Sequence, residues 1–260
     1  MSVTYSSYLK LDELLSLQRP LSNGPEHDET LFIVIHQVYE LWFKELLHEL
    51  DYLVRLLERR DSARALHTLK RVLTILKVVV AQIDVLETMT PLEFLSFRER
   101  LESGSGFQSY QFRELEFLLG AKHAAALERY PAGSDARARL EARYAAPTLW
   151  DAFLRFLVQS GCAVPREALE RDVRSAVVPS EALQTALVEL YRRDALLSGL
   201  CERLVDLDEG IQEWRYRHVK MVQRTIGEKH GTGGSEGARY LMTTLNRPLF
   251  PDLWAIRTRL

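Results

Sequence analysis

Cysteine is nearly absent. Cys162 and Cys201 are the only two in 260 residues, too few for a disulfide framework. Neither lies in a Cys-x-x-Cys-His run, which excludes covalent c-type haem attachment. No Pro/Gly/Ser-rich tract divides the chain, and the one Ala- and Arg-rich stretch, 132–146, is too short for a linker. A single domain over 1–260 is expected, long enough to enclose a sizeable interior. Charge of one sign is also lacking: 34 basic residues against 36 acidic leave a formal net charge of −2. Without a broad basic face, a nucleic-acid partner is disfavoured. Long apolar runs are missing too. The most apolar stretch, 72–86, is interrupted by Lys77 and Asp84 and is too short to span a bilayer. Residues 1–12 carry no apolar signal core. A soluble, cytoplasmic protein with no membrane partner is expected.

Alternating strand patterns are absent and a period near 3.6 dominates, so the fold class is all-α, with long helices arranged as a bundle. Asp28 is placed to cap a helix through Leu31, Phe32, Ile35, Tyr39, Trp42, Phe43, Leu46 and Leu50. A second helix is expected over 63–87. Thr90-Pro91-Leu92-Glu93 reads as a capping box with proline at the first helical position. Further helices fit 107–119, 147–160 and 165–176, and a long one fits 179–226 with a break near Gly199. The segment around Tyr5, Tyr8, Leu9, Leu11 and Leu15 is too short to hold its own helix and must dock somewhere. Four glycines in seven residues, Gly231 to Gly237, make a loop with unusual backbone freedom.

Three polar residues look misplaced. His218 lies on the seam Leu200, Leu204, Leu207, Ile211, Trp214, His218, Met221. It is either a core histidine bonded to a neighbour or an imidazole ligand to a metal or haem iron. No second ligand at i+4 supports a zinc site. His36, one turn after Phe32 and near Tyr39 and Phe43, presents the same choice. Arg98 shares a face with Phe94, Phe97 and Leu101. Its guanidinium stays charged, so it either pairs with a nearby glutamate, reaches out to solvent, or clamps a ligand carboxylate. The Gly231–Gly237 run lacks the G-x-x-x-x-G-K-[ST] phosphate pattern. It reads as a helix stop or as a substrate-ordering loop with a usable Thr232 hydroxyl.

Several runs together resemble the tryptophan 2,3-dioxygenase family. They are His27-Asp28-Glu29, Leu31-Phe32-Ile33, His36-Gln37, Tyr39-Glu40-Leu41-Trp42-Phe43-Lys44, Leu86-Glu87-Thr88-Met89-Thr90-Pro91 and Phe97-Arg98-Glu99. Ser105-Gly106-Phe107-Gln108-Ser109, Gln111-Phe112-Arg113, Trp214-Arg215-Tyr216-Arg217-His218, Val222-Gln223-Arg224 and Gly231-Thr232-Gly233-Gly234-Ser235 complete the pattern, and the segment Thr4–Asp12 fits the family's N-terminus.

The resemblance implies haem b held non-covalently, with His218 as axial ligand to the iron and His36 on the opposite side near the substrate indole N–H. It implies Phe32, Phe94, Leu101 and Gly106 as pocket-lining residues, Arg98 as the clamp on the substrate carboxylate, and Thr232 as a contact to the amino-acid end. Tyr5 and Tyr8, in the segment 1–27, match tyrosines contributed to a neighbouring subunit in a homotetramer. The implied reaction opens the indole ring of L-tryptophan with O₂ to give N-formyl-L-kynurenine, the first step of tryptophan degradation. A related haem enzyme that mono-oxygenates or hydroxylates a substituted indole or aromatic amino acid is the alternative. Glu236 stands where the family loop commonly has serine, and a carboxylate there bears on which substrate is preferred.

Overall fold

The structure, a computed structural model, describes residues 2–231 and 238–260. Among these there is no strand, and the elements are helices. Two short ones, α1 (Tyr5–Leu9) and α2 (Leu11–Leu14), precede the long α3 (His27–Glu58) and α4 (Ser62–Leu86). The chain continues through α5 (Pro91–Arg98), α6 (Tyr110–Leu119), α7 (Asp135–Ala145), α8 (Leu149–Gln159) and α9 (Arg166–Leu169). It ends with α10 (Glu181–Arg193), α11 (Ala195–Ile226), α12 (Ala238–Met242) and α13 (Pro251–Ala255).

Hydroxyl and carboxylate side chains set most helix starts by accepting from the first free backbone N–H groups. Asp61 accepts from Arg64, Ser109 from Phe112, Ser134 from Arg137 and Ser180 from Leu183. Thr90 forms the expected capping box with Glu93, with Pro91 at the start of α5. A second box, Thr148 with Asp151, opens α8.

The core lies between α3, α4 and α11, where Leu50, Leu53, Leu69, Val72, Leu76, Leu204 and Ile211 are buried, with α6 and α8 against α3 and α10 against α11. Gly210 lets α11 approach α4 closely. A Cβ there would stand 2.5 Å from Leu76 Cδ2.

Four local expectations are corrected. Asp28 is not the cap of α3: the helix begins at His27 after an extended Glu26 that makes no side-chain cap bond. The entering chain instead folds back onto Glu29, whose buried carboxylate accepts from Leu21 N, at 2.6 Å, and from Ser22 N and its hydroxyl. Burial alone would raise the Glu29 pKa, but these bonds outweigh it and lower it. The helix expected over 107–119 begins only at Tyr110, after a 3₁₀ turn at Gly106–Gln108. The one expected over 165–176 is the single turn Arg166–Leu169, because Arg171 turns away to bind Asp151 through two bonds of 2.8 Å. The break in the long C-terminal stretch is at Asp194, not Gly199. The Asp194 backbone is extended and its carboxylate caps the N–H groups of Leu196 and Leu197, each at 2.9 Å, which offers the chain a better local bond than helix continuation.

Candidate active site

His36 is held by its own helix. Its Nδ1 lies 2.7 Å from the Phe32 carbonyl one turn back. A carbonyl only accepts, so Nδ1 carries the proton and Nε2 keeps its lone pair. The Phe32 ring lies 4.1 Å from the imidazole and packs against Phe94 and Phe97 of α5 at 5.8 and 5.5 Å. Burial lowers the His36 pKa, against the opposing pull of the Phe32 carbonyl and of Glu40, so the ring is neutral near neutral pH.

His218 faces the same space from α11. Its imidazole stacks on Trp214, one turn earlier, at 5.0 Å and 16° between planes. Trp214 is wedged in turn against Phe112 at 4.6 Å and Phe43 at 6.3 Å. Burial first, then the nearby His36, pushes the His218 pKa down to about 4. Its ring nitrogens have no hydrogen-bond partner among the described residues. Arg217 and Arg224, on either side of His218 along α11, both reach Glu87 at the end of α4, at 3.4 and 3.3 Å, and Arg217 also reaches Asp84 at 2.5 Å.

Arg98 ends α5. Half-buried, it donates through Nη2 to the carbonyl of His230, just ahead of the glycine run. The sides of Phe32, His36, Phe94, Arg98, Leu101, Gly106 and His218 face one cavity, in which the space open to the centre of a water molecule is about 240 Å³. Met89, Met221 and Ile226 extend its apolar wall, and Gly231 borders it. Seven of the expected site residues thus meet in one place, although they lie on α3, α5, the segment after α5, and α11. Tyr5 and Tyr8 do not join them: each is 76% exposed, outside the cavity. Thr232 and Glu236 lie outside the described residues.

Sequence reasoning gave no role to Glu40, Arg113, Glu116 and Arg215, which also line the cavity. The signal was available: Arg113 and Arg215 stand inside the runs that carry the family resemblance, and Arg215 is one helical turn from His218.

The residues present fit a haem group. A neutral imidazole with an unpaired nitrogen faces an apolar hollow, as an axial ligand to iron requires. No group of three or more metal-binding side chains occurs among the described residues. Fold and site together define an all-helical protein with an apolar chamber that sets one imidazole at each of two walls and a guanidinium beside them.

The comparisons with known proteins agree. A family model described as tryptophan 2,3-dioxygenase matches residues 1–142 and 168–260. The chain is 62% identical to tryptophan 2,3-dioxygenase of Herpetosiphon aurantiacus over 259 residues, covering 100% of this chain and 99% of the relative. It is 60% identical to that of an Anaeromyxobacter species, covering 98% and 96%, and 46% identical to that of Caulobacter vibrioides, covering 99% and 98%. The chain belongs to the tryptophan 2,3-dioxygenase family.

Proposed function

We propose that the chain is a haem-dependent dioxygenase that adds O₂ across the C2–C3 bond of L-tryptophan to give N-formyl-L-kynurenine, the first step of tryptophan degradation. The observation that carries this reading is the convergence of His36, His218 and Arg98 on one apolar cavity in a chain with full-length similarity to the family. His218 would hold the iron of haem b, and the bound haem supplies the redox-active iron that lets O₂ react with a closed-shell indole.

The chain's own part is placement. Phe32 and Phe94, with Leu101 and Gly106, form the wall against which the indole lies. The His36 Nε2 lone pair, freed by the Phe32 carbonyl, accepts from the indole N–H. Arg98 pairs with the substrate carboxylate, having donors to spare beyond its bond to His230. Thr232 contacts the amino-acid end. Holding the indole in a water-poor chamber beside the cofactor turns an encounter of two reactants into one oriented event.

Tyr5 and Tyr8, exposed on the segment 1–27, pack on a neighbouring subunit's pocket in a homotetramer of one-domain chains. No helix among the described residues is long and apolar enough to cross a membrane, in keeping with a place in the cytoplasm.

The test is anaerobic reduction of the haem-loaded protein, addition of tryptophan and ¹⁸O₂, and mass analysis of the product. N-formylkynurenine carrying two labelled atoms is expected. A hydroxylated product with one label would establish the mono-oxygenase alternative instead.

A further inference from the structure

Three charged side chains that no role above uses meet at the cavity between α6 and α11. Arg113 and Glu116 stand one turn apart on α6, and Arg215 stands one turn ahead of His218 on α11. They are 8%, 8% and 6% exposed. One carboxylate serves both cations: Glu116 Oε2 accepts from Arg113 Nη1, and Glu116 Oε1 accepts from Arg215 Nη2 at 3.0 Å. Arg215 also reaches the Thr244 carbonyl at 3.4 Å. The remaining N–H groups of Arg113 have no hydrogen-bond partner among the described residues.

The charges do not cancel. Apart from Arg98, which the reading above gives to the substrate, Arg113 and Arg215 share the single carboxylate of Glu116, a local surplus of one positive charge, and the cavity's other carboxylate is Glu40. Glu40 is further engaged by Gln111, whose Nε2 donates to it at 2.8 Å. Arg129 and Arg247 add positive potential nearby, the first felt by Tyr130 and the second by His123. A guanidinium cannot give up its proton, and an uncompensated one in an apolar wall is costly. Arg217, the other cation beside His218, is drawn off to Asp84 and Glu87 on α4. That leaves Arg215 as the cation on the cavity side of the His218 helix.

We propose that Arg113 and Arg215, bridged by Glu116, are the receptor for the propionate carboxylates of the haem that His218 binds. The inference rests on the haem reading given above. It assigns the tetrapyrrole an orientation: its carboxylate edge lies toward α6 and the Arg215 turn of α11, and Arg98 is left for the substrate. Glu116 holds the two guanidiniums in place before the cofactor arrives, and a bound propionate meets the positive charge that they leave over.

The experiment titrates the full-length apo-chain with ferric haem b and, separately, with haem b dimethyl ester, whose propionates carry no charge. Binding is followed by the Soret band and haem loss by transfer to a scavenger. Wild type is expected to prefer the free acid roughly tenfold or more, the scale of one charge-assisted hydrogen bond. Arg215→Gln and Arg113→Gln should lose that preference by weakening the acid alone, with ester affinity unchanged, and Arg215→Lys should recover part of it. Equal affinity of wild type for acid and ester would overturn the receptor, as would variants that weaken both forms alike. The first of these comparisons needs no variant and so survives any folding defect. A wild-type chain that takes up neither form would remove the haem reading and the receptor with it. One that takes up both equally removes only the receptor.

Discussion

The guanidinium of Arg98 donates to the carbonyl of His230, tying the end of α5 to a residue 132 positions later. The residue proposed to meet a substrate carboxylate therefore also holds the chain that enters the glycine-rich run.

Loss of Arg98 should consequently be felt at the substrate's charged end. Arg98→Ala is expected to weaken tryptophan binding by about 2 kcal/mol, at the low end for truncating one partner of a charge pair because the side chain is half-buried. Tryptamine, which lacks the carboxylate, should bind wild type and variant alike. Equal loss for both ligands would remove the clamp from Arg98.

The two histidines should separate cleanly. His218→Ala is expected to purify without haem, whereas His36→Ala should retain it and bind tryptophan more weakly. Comparing tryptophan with 1-methyltryptophan isolates the hydrogen bond to Nε2: wild type should discriminate between them and His36→Ala should not. Full haem loading of His218→Ala would reverse the assignment.

The pH dependence follows from the direction of the His36 shift. Burial holds its pKa below the ordinary 6.5. The neutral ring, whose Nε2 accepts, therefore persists through that value and is lost only at more acid pH. Tryptophan affinity should stay level through pH 6.5 and fall below it, with the acid limb absent in His36→Ala. A midpoint at or above 6.5 would contradict the assignment.

Two buried aspartates should respond in opposite ways. The Asp208 carboxylate accepts from Leu249 N at 2.7 Å, Phe250 N at 3.0 Å and Trp254 Nε1 at 2.9 Å. Asp208→Ala strands these donors and should cost roughly 3 kcal/mol of stability. Asp252 has one oxygen bonded to Ser180 and Gln184 and the other without a partner, and burial raises its pKa. A raised pKa means that its contribution to stability is fully present below the unfolded value near 3.8 and is lost as pH rises through the folded one. Asp252→Asn should therefore melt no lower than wild type at pH 7, with its advantage vanishing in acid. Thermal unfolding at both pH values measures this.

Gly210→Ala tests the close approach of α11 and α4. The added methyl meets Leu76 Cδ2 at 2.5 Å. Overpacking costs about 1–3 kcal/mol and the better helix propensity returns about 1 kcal/mol, so a net loss of about 1 kcal/mol is expected, roughly 3 °C in Tm for a chain of this size. An unchanged Tm would show that Leu76 swings aside freely.

The long helices were legible because apolar residues recur along them at the helical period, as in α3, α4 and α11. What escaped were competitions between side chain and helix. The Asp194 carboxylate caps two N–H groups and ends one helix to begin the next, and Arg171 leaves its helix for Asp151. Both partners were visible in the sequence, but their pairing is a fact of three dimensions. The same holds at the site. His36, Arg98 and His218 stood out because a polar residue on an apolar stripe is conspicuous. Arg113, Glu116 and Arg215 did not, because charged residues are common and only folding reveals that these three are buried together.

Asp208 and the segment it holds have one more consequence. The chain that leaves the end of α11 at Ile226 is caught again at Leu249 and Phe250 by a carboxylate in the middle of that same helix. Both ends of the stretch between are thus joined to one rod. The segment that follows α11 is thereby tied back to the same rod that carries His218.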